Sequence, residues 1–284
     1  MLLKSKILFL MMITIKDLTL DNLDDVFSIC SGVASEYNVP EDGLVKGKEY
    51  RKKWLKKMLH EYGSCTKIAY LDERPVAQIL YYPETAMKYM KERRKNVVHI
   101  QCIVNPFTET QKLGIGAALI ESLKTDCAKG LEILGGEKCS YIVAYPYPTA
   151  IGVSFADFYT KMGFKKGENE YYFEVTSKYE PRKKSEYVPV PEDKDKVILF
   201  YNPNCEFGLF YVNNVKNILG SNFENLPIKI FNLWEDYEEY LKRPQQTVVA
   251  ARAIVNQQTV DDFLIWEDVD KWLDEIRDKL EHGL

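Results

Sequence analysis

Apolar and polar positions along the chain alternate between strand-like and helix-like periods. Residues 12–18, MITIKDL, read as a strand. DNLDDVFSIC follows at helical spacing with Asp21 as its N-cap candidate. Residues 32–48 are rich in turn formers and read as a loop. EYRKKWLKKMLHEYG predicts an amphipathic helix. Tyr50, Trp54, Leu55, Met58, Leu59 and Tyr62 share one face, the Lys-rich face is solvated, and Gly63 ends it. CTKIAYLD and RPVAQILYY predict a hairpin turning at Asp72 and Glu73. A short helix over residues 86–95 precedes the β-branched strand NVVHIQCIV. Then come a glycine loop with its helix, a strand CSYIVAYP, a short helix SFADFYTKMGF closed by Gly163, and a strand YYFEVTSKY. Residues 1–178 thus predict one α/β (α+β) domain, a mixed sheet flanked by helices.

Residues 179–196 combine prolines with dense charge and lack apolar periodicity, which predicts an extended, exposed linker. The pattern restarts over residues 197–284. KVILFYN and LPIKIFNL read as strands, FGLFYVNNVKNIL and EDYEEYLKR as helices, and TVVAARAIV with TVDDFLI as a closing strand pair. The last helix places Val269, Trp272, Leu273, Ile276 and Leu280 on one face. The order β-α-β-α-β-β-α predicts a smaller thioredoxin-like α/β domain.

A chain of 284 residues accommodates two domains. Its 46% apolar and 28% charged residues are those of a soluble globular protein. A net charge of −4 gives no general pull toward nucleic acid or an anionic membrane, so any anion site must be local. The six cysteines are scattered, form no CxxC, and accompany only three histidines. That excludes a disulfide framework and a zinc site and implies reduced thiols and a cytoplasmic setting. MLLKSKILFLMM has Lys4 and Lys6 ahead of an apolar run, as in a signal peptide, but no small-residue cleavage site follows. The run is too short to span a bilayer. It reads as a leader on the first strand, with Met11 or Met12 as an alternative start.

The glycine loop is QKLGIGAALIESL. A Walker A loop is excluded, because Gly116 is followed by Ala117 and Ala118 rather than Lys and Ser/Thr. A dinucleotide fingerprint is excluded by Leu119 at its third glycine and by the long loop that separates strand from glycines. What fits is Q-x-x-G-x-G from Gln111 to Gly116, opening a helix after a β-branched strand ending Ile103-Val104-Asn105-Pro106. This motif, with its surrounding element order, resembles motif A of the GNAT acyltransferase superfamily. The second half resembles the YoaP-type C-terminal domain in its FYNPNCEFGLF and AIVNQQTV stretches.

The resemblance implies that backbone N–H groups of Gln111, Lys112, Leu113, Gly114, Ile115, Gly116 and Ala117 hold an acyl-CoA pyrophosphate. Bare glycines and the helix dipole would help them do so. It implies that pantetheine pairs as an extra strand near Cys102, Ile103 and Val104. The loop after Pro106 is about two residues longer than usual for the family, and Lys112 stands where a small residue is common.

Acyl transfer to an amine needs a base for the ammonium and an acid for the leaving thiolate. The resemblance places Tyr159 of FYTKMGF as the acid. Helical spacing with Phe155, Phe158 and Met162 also suits a core residue, and the motif favours the catalytic role. The strand lacks the family's Glu. His99 and Gln101 are its polar residues, on one face by alternation, and His99 reads either as base or as a structural histidine. The acceptor region is expected between residues 35–48, Tyr81, Tyr82 and AYPYPT. Glu36, Glu41 and Asp42 are candidates for meeting a cation, and Tyr145 and Tyr147 for forming a lip.

Cys205 in NPNCEF sits where a helix N-terminus would stabilise a thiolate, but Gly208 occupies the place of a resolving cysteine. The leading expectation is an N-acetyltransferase that moves acetyl from acetyl-CoA to an unidentified primary amine in a ternary complex. It needs no metal, nucleic acid or membrane, and a homodimer is compatible with the family. A CoA-binding sensor or pseudoenzyme, and a redox or adaptor protein centred on Cys205, are the alternatives.

Overall fold

The computed structural model describes residues 12–146, 154–183, 187–243, 251–260 and 268–282. In its first half, strands β1 (Ile13–Asp17), β2 (Thr66–Leu71), β3 (Arg74–Pro83), β4 (Val97–Val104), β5 (Tyr141–Ala144), β6 (Lys165–Lys166) and β7 (Tyr171–Glu174) form a mixed sheet. The order is β1-β2-β3-β4-β5-β7-β6. β4 and β5 run parallel, while every other neighbouring pair is antiparallel. Asp72 and Glu73 both take left-handed φ, 49° and 69°, which suits the tight turn between twisted strands β2 and β3.

Alternation along β3 divides the core. Leu80 and Tyr82 pack beneath helices α1 (Asp25–Glu36) and α2 (Glu41–Glu61), with Ile29, Trp54 and Met58. Ile79 and Tyr81 face α3 (Ile115–Lys129) and α4 (Phe155–Lys161), with Leu119, Leu123 and Tyr159. Tyr81 and Tyr82 therefore serve opposite faces of the sheet.

The second half holds β8 (Val197–Tyr201), β9 (Ile228–Asn232), β10 (Ala251–Val255) and β11 (Gln258–Val260), ordered β11-β10-β8-β9. β8 and β9 are parallel and the other pairs antiparallel. Helices α5 (Glu206–Asn222) and α7 (Val269–Glu281) cover one face, with Val212, Leu219, Trp272 and Ile276 buried there. The last helix starts where the Asp268 carboxylate accepts from the Lys271 N–H at 3.0 Å. Short α6 (Tyr237–Leu241) contributes Tyr240 to the opposite face.

That opposite face packs into the first half. Ile198, Phe200, Leu233 and Ile254 share one buried cluster with Ile29, Trp54 and Tyr82. Trp234 sits among Trp54, Tyr82 and Tyr89 with ring centroids 5.1, 5.3 and 5.8 Å away. These edge-on contacts add to the apolar burial.

Three expectations change. Residues 32–36 and 41–48 are helical rather than looped. Gly43 and Gly47 face α5, where a Cβ would lie 2.8 Å from the Phe210 ring and 2.0 Å from the Glu206 carbonyl oxygen. The glycines permit close helix approach rather than a turn. Residues 86–95 are not a helix beyond the 3-10 turn Glu84–Ala86. The Glu84 carboxylate accepts from the Arg94 backbone N–H at 2.9 Å and folds the segment back on itself. The joining segment is not simply exposed. Val190 and Asp193 are buried, and Asp193 is ion-paired to buried Arg243. Residues 1–11, Tyr147, Pro244 and the outer parts of the last strand pair lie outside the described residues.

Candidate active site

β4 and β5 pair from Val97↔Tyr141 to Ile100↔Ala144, and there the pairing ends. Beyond Ile100, β4 continues to Val104 against β3 only. The register with β3 slips at the same place. Leu80 faces Cys102 and Tyr81 faces Ile100, so Gln101 is an extra, bulged residue. The result is a fork in the sheet, with its apex at Ile100 and Gln101. Among the described residues, no strand pairs with residues 101–104 on the side toward β5.

The open end of the fork leads to the glycine loop. Residues 105–110 hold themselves together. Asn105 Nδ2 donates to the Thr110 carbonyl at 3.1 Å and Thr110 Oγ1 donates to Asn105 Oδ1 at 2.7 Å. The longer loop thus folds as the 3-10 turn Thr108–Thr110, and Pro106 and Phe107 pack against the bare Cα of Gly32 on α1.

Lys112 and Gly114 both adopt left-handed φ, 63° and 81°. The first hydrogen bond of α3 is Ala118 N–H to the Gly114 carbonyl, 2.9 Å. Among the described residues, the N–H groups of residues 112–117 have no protein acceptor. Lys112, Leu113 and Gly114 are exposed and Gln111, Gly116 and Ala117 half-buried. The Ile115 side chain is in the core, so only its backbone faces the loop. A Cβ at Gly114 would meet nothing within 4 Å. Gly116 lies against Phe158 of α4, with 3.3 Å from its hypothetical Cβ.

At the apex, His99 is buried. Its Nδ1 lies 3.0 Å from Gln101 Nε2, and its ring meets Tyr145 at 4.9 Å and 67°. The same Nδ1 lies 3.5 Å from Met87 Sδ, and Nε2 has no hydrogen-bond partner among the described residues. Burial, then the Arg182 charge, pushes the imidazole down to about 3. A group so held is neutral at physiological pH and a poor base toward an ammonium, which disfavours His99 in that role.

Tyr159 is buried among Phe155, Phe158, Phe164 and Tyr171 on the α3 side of the sheet. Burial, with a smaller contribution from Cys102, raises its phenol well above the usual range, so it stays protonated. Glu41 and Asp42 stay on the exposed first turn of α2.

Sequence reasoning missed Arg51. It is 3% exposed on the apolar face of α2. Its Nη1 donates to Glu206 Oε2 and to Cys30 Sγ, both at 3.0 Å, and its Nη2 to Gln78 Oε1 at 3.2 Å. A signal existed, since Arg51 shares helical spacing with Trp54, Leu55 and Met58. The NPNCEF loop supplies the rest of the contact. Asn204 Nδ2 donates to Tyr82 Oη at 3.0 Å, and Asn202 Oδ1 accepts from Trp234 Nε1 at 2.9 Å. Cys205 lies in this seam, and burial pushes its thiol up to about 11 despite nearby Arg51. Among the described residues no group of His, Cys, Asp and Glu could hold a metal ion, and no helix is long and apolar enough to cross a membrane.

No family model and no curated protein matches the chain. Similar solved structures are GNAT acetyltransferases. The ribosomal-protein-S18-alanine N-acetyltransferase of Escherichia coli is 13% identical, with 61% of this chain and 99% of that one covered and a TM-score of 0.38. A GNAT-family acetyltransferase of Staphylococcus aureus Mu50 is 14% identical, with 58% and 99% covered and a TM-score of 0.37. A GNAT-family acetyltransferase of Brucella melitensis, solved with acetyl-CoA, is 11% identical, with 57% and 88% covered and a TM-score of 0.36. At such identities and TM-scores no activity follows from the likeness.

Proposed function

We propose that the protein is an acyl-CoA-dependent N-acyltransferase that moves acetyl from acetyl-CoA to an amine. The observation that carries this is a run of free backbone N–H groups, residues 112–117, at the mouth of a fork in the sheet. Free N–H groups at a helix N-terminus suit a pyrophosphate. The side of β4 that β5 leaves beyond Ile100 suits an extended chain with amides, which pantetheine is. One molecule has both, arranged so that its thioester would reach the fork apex. The mixed sheet of the first half, whose parallel β4–β5 pair parts at its C-terminal end, is consistent with the GNAT arrangement.

The amine nitrogen attacks the thioester carbonyl carbon, the C–S bond breaks, and the thiolate takes a proton. Tyr159 is the proton donor in this reading. Its phenol is a weak acid in its apolar surroundings, and a thiolate departing into the same surroundings is raised alongside it. With His99 held neutral, the ammonium loses its proton to water on the way in.

The second half is thioredoxin-like in this reading, supported by its strand order and single parallel pair. Its NPNCEF loop docks on α2 and β3 rather than meeting substrates, which disfavours a redox role for Cys205. A CoA-binding protein without turnover is the second reading, favoured by the neutral, buried His99.

Calorimetric titration with acetyl-CoA on wild type and Gly114→Val tests the proposal. The variant forces a β-branched residue into left-handed φ and points it where phosphate would lie, so binding should weaken tenfold or more, about 1.4 kcal/mol. Unchanged affinity, or no binding by wild type, refutes it. Thiol release with an amine panel then separates turnover from binding alone.

A further inference from the structure

We propose that Arg182 is a positioning residue for the acyl end of the site, holding Tyr145 across the apex where β4 and β5 part. This rests on the acyltransferase reading above. Tyr145 follows the last β4–β5 pair, Ile100↔Ala144. Its Oη accepts from Arg182 Nη1 at 3.0 Å. The other arm, Nη2, donates to the buried Glu84 carboxylate. On its far side the Tyr145 ring meets His99, and His99 Nδ1 meets the bulged Gln101. A continuous line of contacts, Glu84–Arg182–Tyr145–His99–Gln101, therefore ends at the point where the acyl group would arrive.

Arg182 belongs to the segment that joins the halves, outside the part resembling an acyltransferase. The segment is tied in place. Tyr179 stacks on Tyr172 with ring centroids 3.8 Å apart, and the Glu180 carbonyl accepts from Arg94 Nη1 at 2.8 Å. Glu84 is doubly held. Arg94 bonds it and also Glu170, so the ion-paired cluster does not depend on Arg182 alone. Among the described residues, Arg182 is the one that reaches a carboxylate and the Tyr145 hydroxyl at once. A guanidinium can do this with two arms in a fixed plane, and an ammonium cannot match it.

Arg182→Lys separates the roles, since it keeps the charge near Glu84 and loses the fork. The full-length protein is labelled with 15N-histidine and titrated with acetyl-CoA carrying 13C at the thioester carbonyl. The chain has three histidines, and His60 and His282 are exposed, so His99 is recognised by its invariant neutral state. In Arg182→Lys the His99 ring signals and the bound carbonyl resonance should both move, while acetyl-CoA affinity stays within about twofold of wild type. Tyr145→Phe, which removes only the hydroxyl that Arg182 holds, should move the same two signals. It stands in if the lysine variant does not fold. Unchanged signals with normal binding overturn the positioning role alone. Failure of wild type to bind acetyl-CoA overturns the acyltransferase reading and this role with it.

Discussion

Replacing Gly47 by Ala asks whether the two halves are pressed together as the structure shows. In an ordinary exposed helix interior this change stabilises by about 1 kcal/mol, because Ala loses less backbone entropy than Gly. At Gly47 the new Cβ would lie 2.0 Å from the Glu206 carbonyl oxygen and 2.9 Å from its carbon. A carbon–oxygen contact needs roughly 3.3 Å, so α2 and α5 must part locally by about 1 Å. The obstacle is backbone and cannot rotate away. Overpacking of this kind costs about 1–3 kcal/mol, and a backbone obstacle puts it toward the upper end, so subtracting a propensity gain of about 1 kcal/mol from about 2–3 kcal/mol leaves a net loss of roughly 1–2 kcal/mol. Gly220 supplies the control. It is an exposed residue of α5 with nothing within 4 Å of its hypothetical Cβ. Gly220→Ala should stabilise by at most about 1 kcal/mol. Calorimetric melting of both variants should therefore show opposite signs, Gly47→Ala lower by roughly 2–8 °C and Gly220→Ala higher by a few degrees. If Gly47→Ala melts at or above wild type, the α2–α5 seam is not closed as described and the shared core is wrong.

Three further outcomes are expected. Tyr159→Phe should lower turnover tenfold or more, about 1.4 kcal/mol, while leaving acetyl-CoA affinity unchanged, and full activity would make Tyr159 a packing residue only. Iodoacetamide should leave Cys205 nearly untouched at neutral pH, since its surroundings hold its thiol at about 11, and mass spectrometry finding rapid labelling there would show a thiolate that these surroundings do not allow. His99 should make the protein acid-sensitive. Its folded value of about 3 lies below the unfolded value of about 6.5, so the unfolded chain takes up a proton that the folded one refuses. Stability is complete above pH 6.5 and falls as pH drops from there toward 3, by about 2 kcal/mol at pH 5. Urea midpoints of His99→Gln should fall less than those of wild type between pH 7 and 5, and equal falls would show that folded His99 takes up protons freely.

Local pattern carried much of what lies within either half. The hairpin at Asp72 and Glu73 needed only turn residues between β-branched runs, and both residues take the left-handed φ such a turn demands. The Q-x-x-G-x-G stretch needed only a helix start with bare glycines, and Gly114 sits there at φ 81°. The fork was not legible, because the bulge at Gln101 depends on how β3 pairs with β4 and leaves no mark in the alternation of either strand. Three other departures share a single cause. Residues 41–48 read as a loop, the joining segment as exposed, and Arg51 as no part of a site. In each case the deciding contact comes from residues distant in the chain: Glu206 against Gly47, Arg182 against Glu84 and Tyr145, and Arg51 with Cys30 around the Cys205 loop. Glycine, arginine and cysteine are the residues whose local preference a partner surface overrides most readily. Glycine tolerates a helix when another backbone must come close, arginine tolerates burial when its donors are met, and a thiol loses its charge when water is excluded. The halves thus read as separate domains in sequence and fold as neighbours in one core.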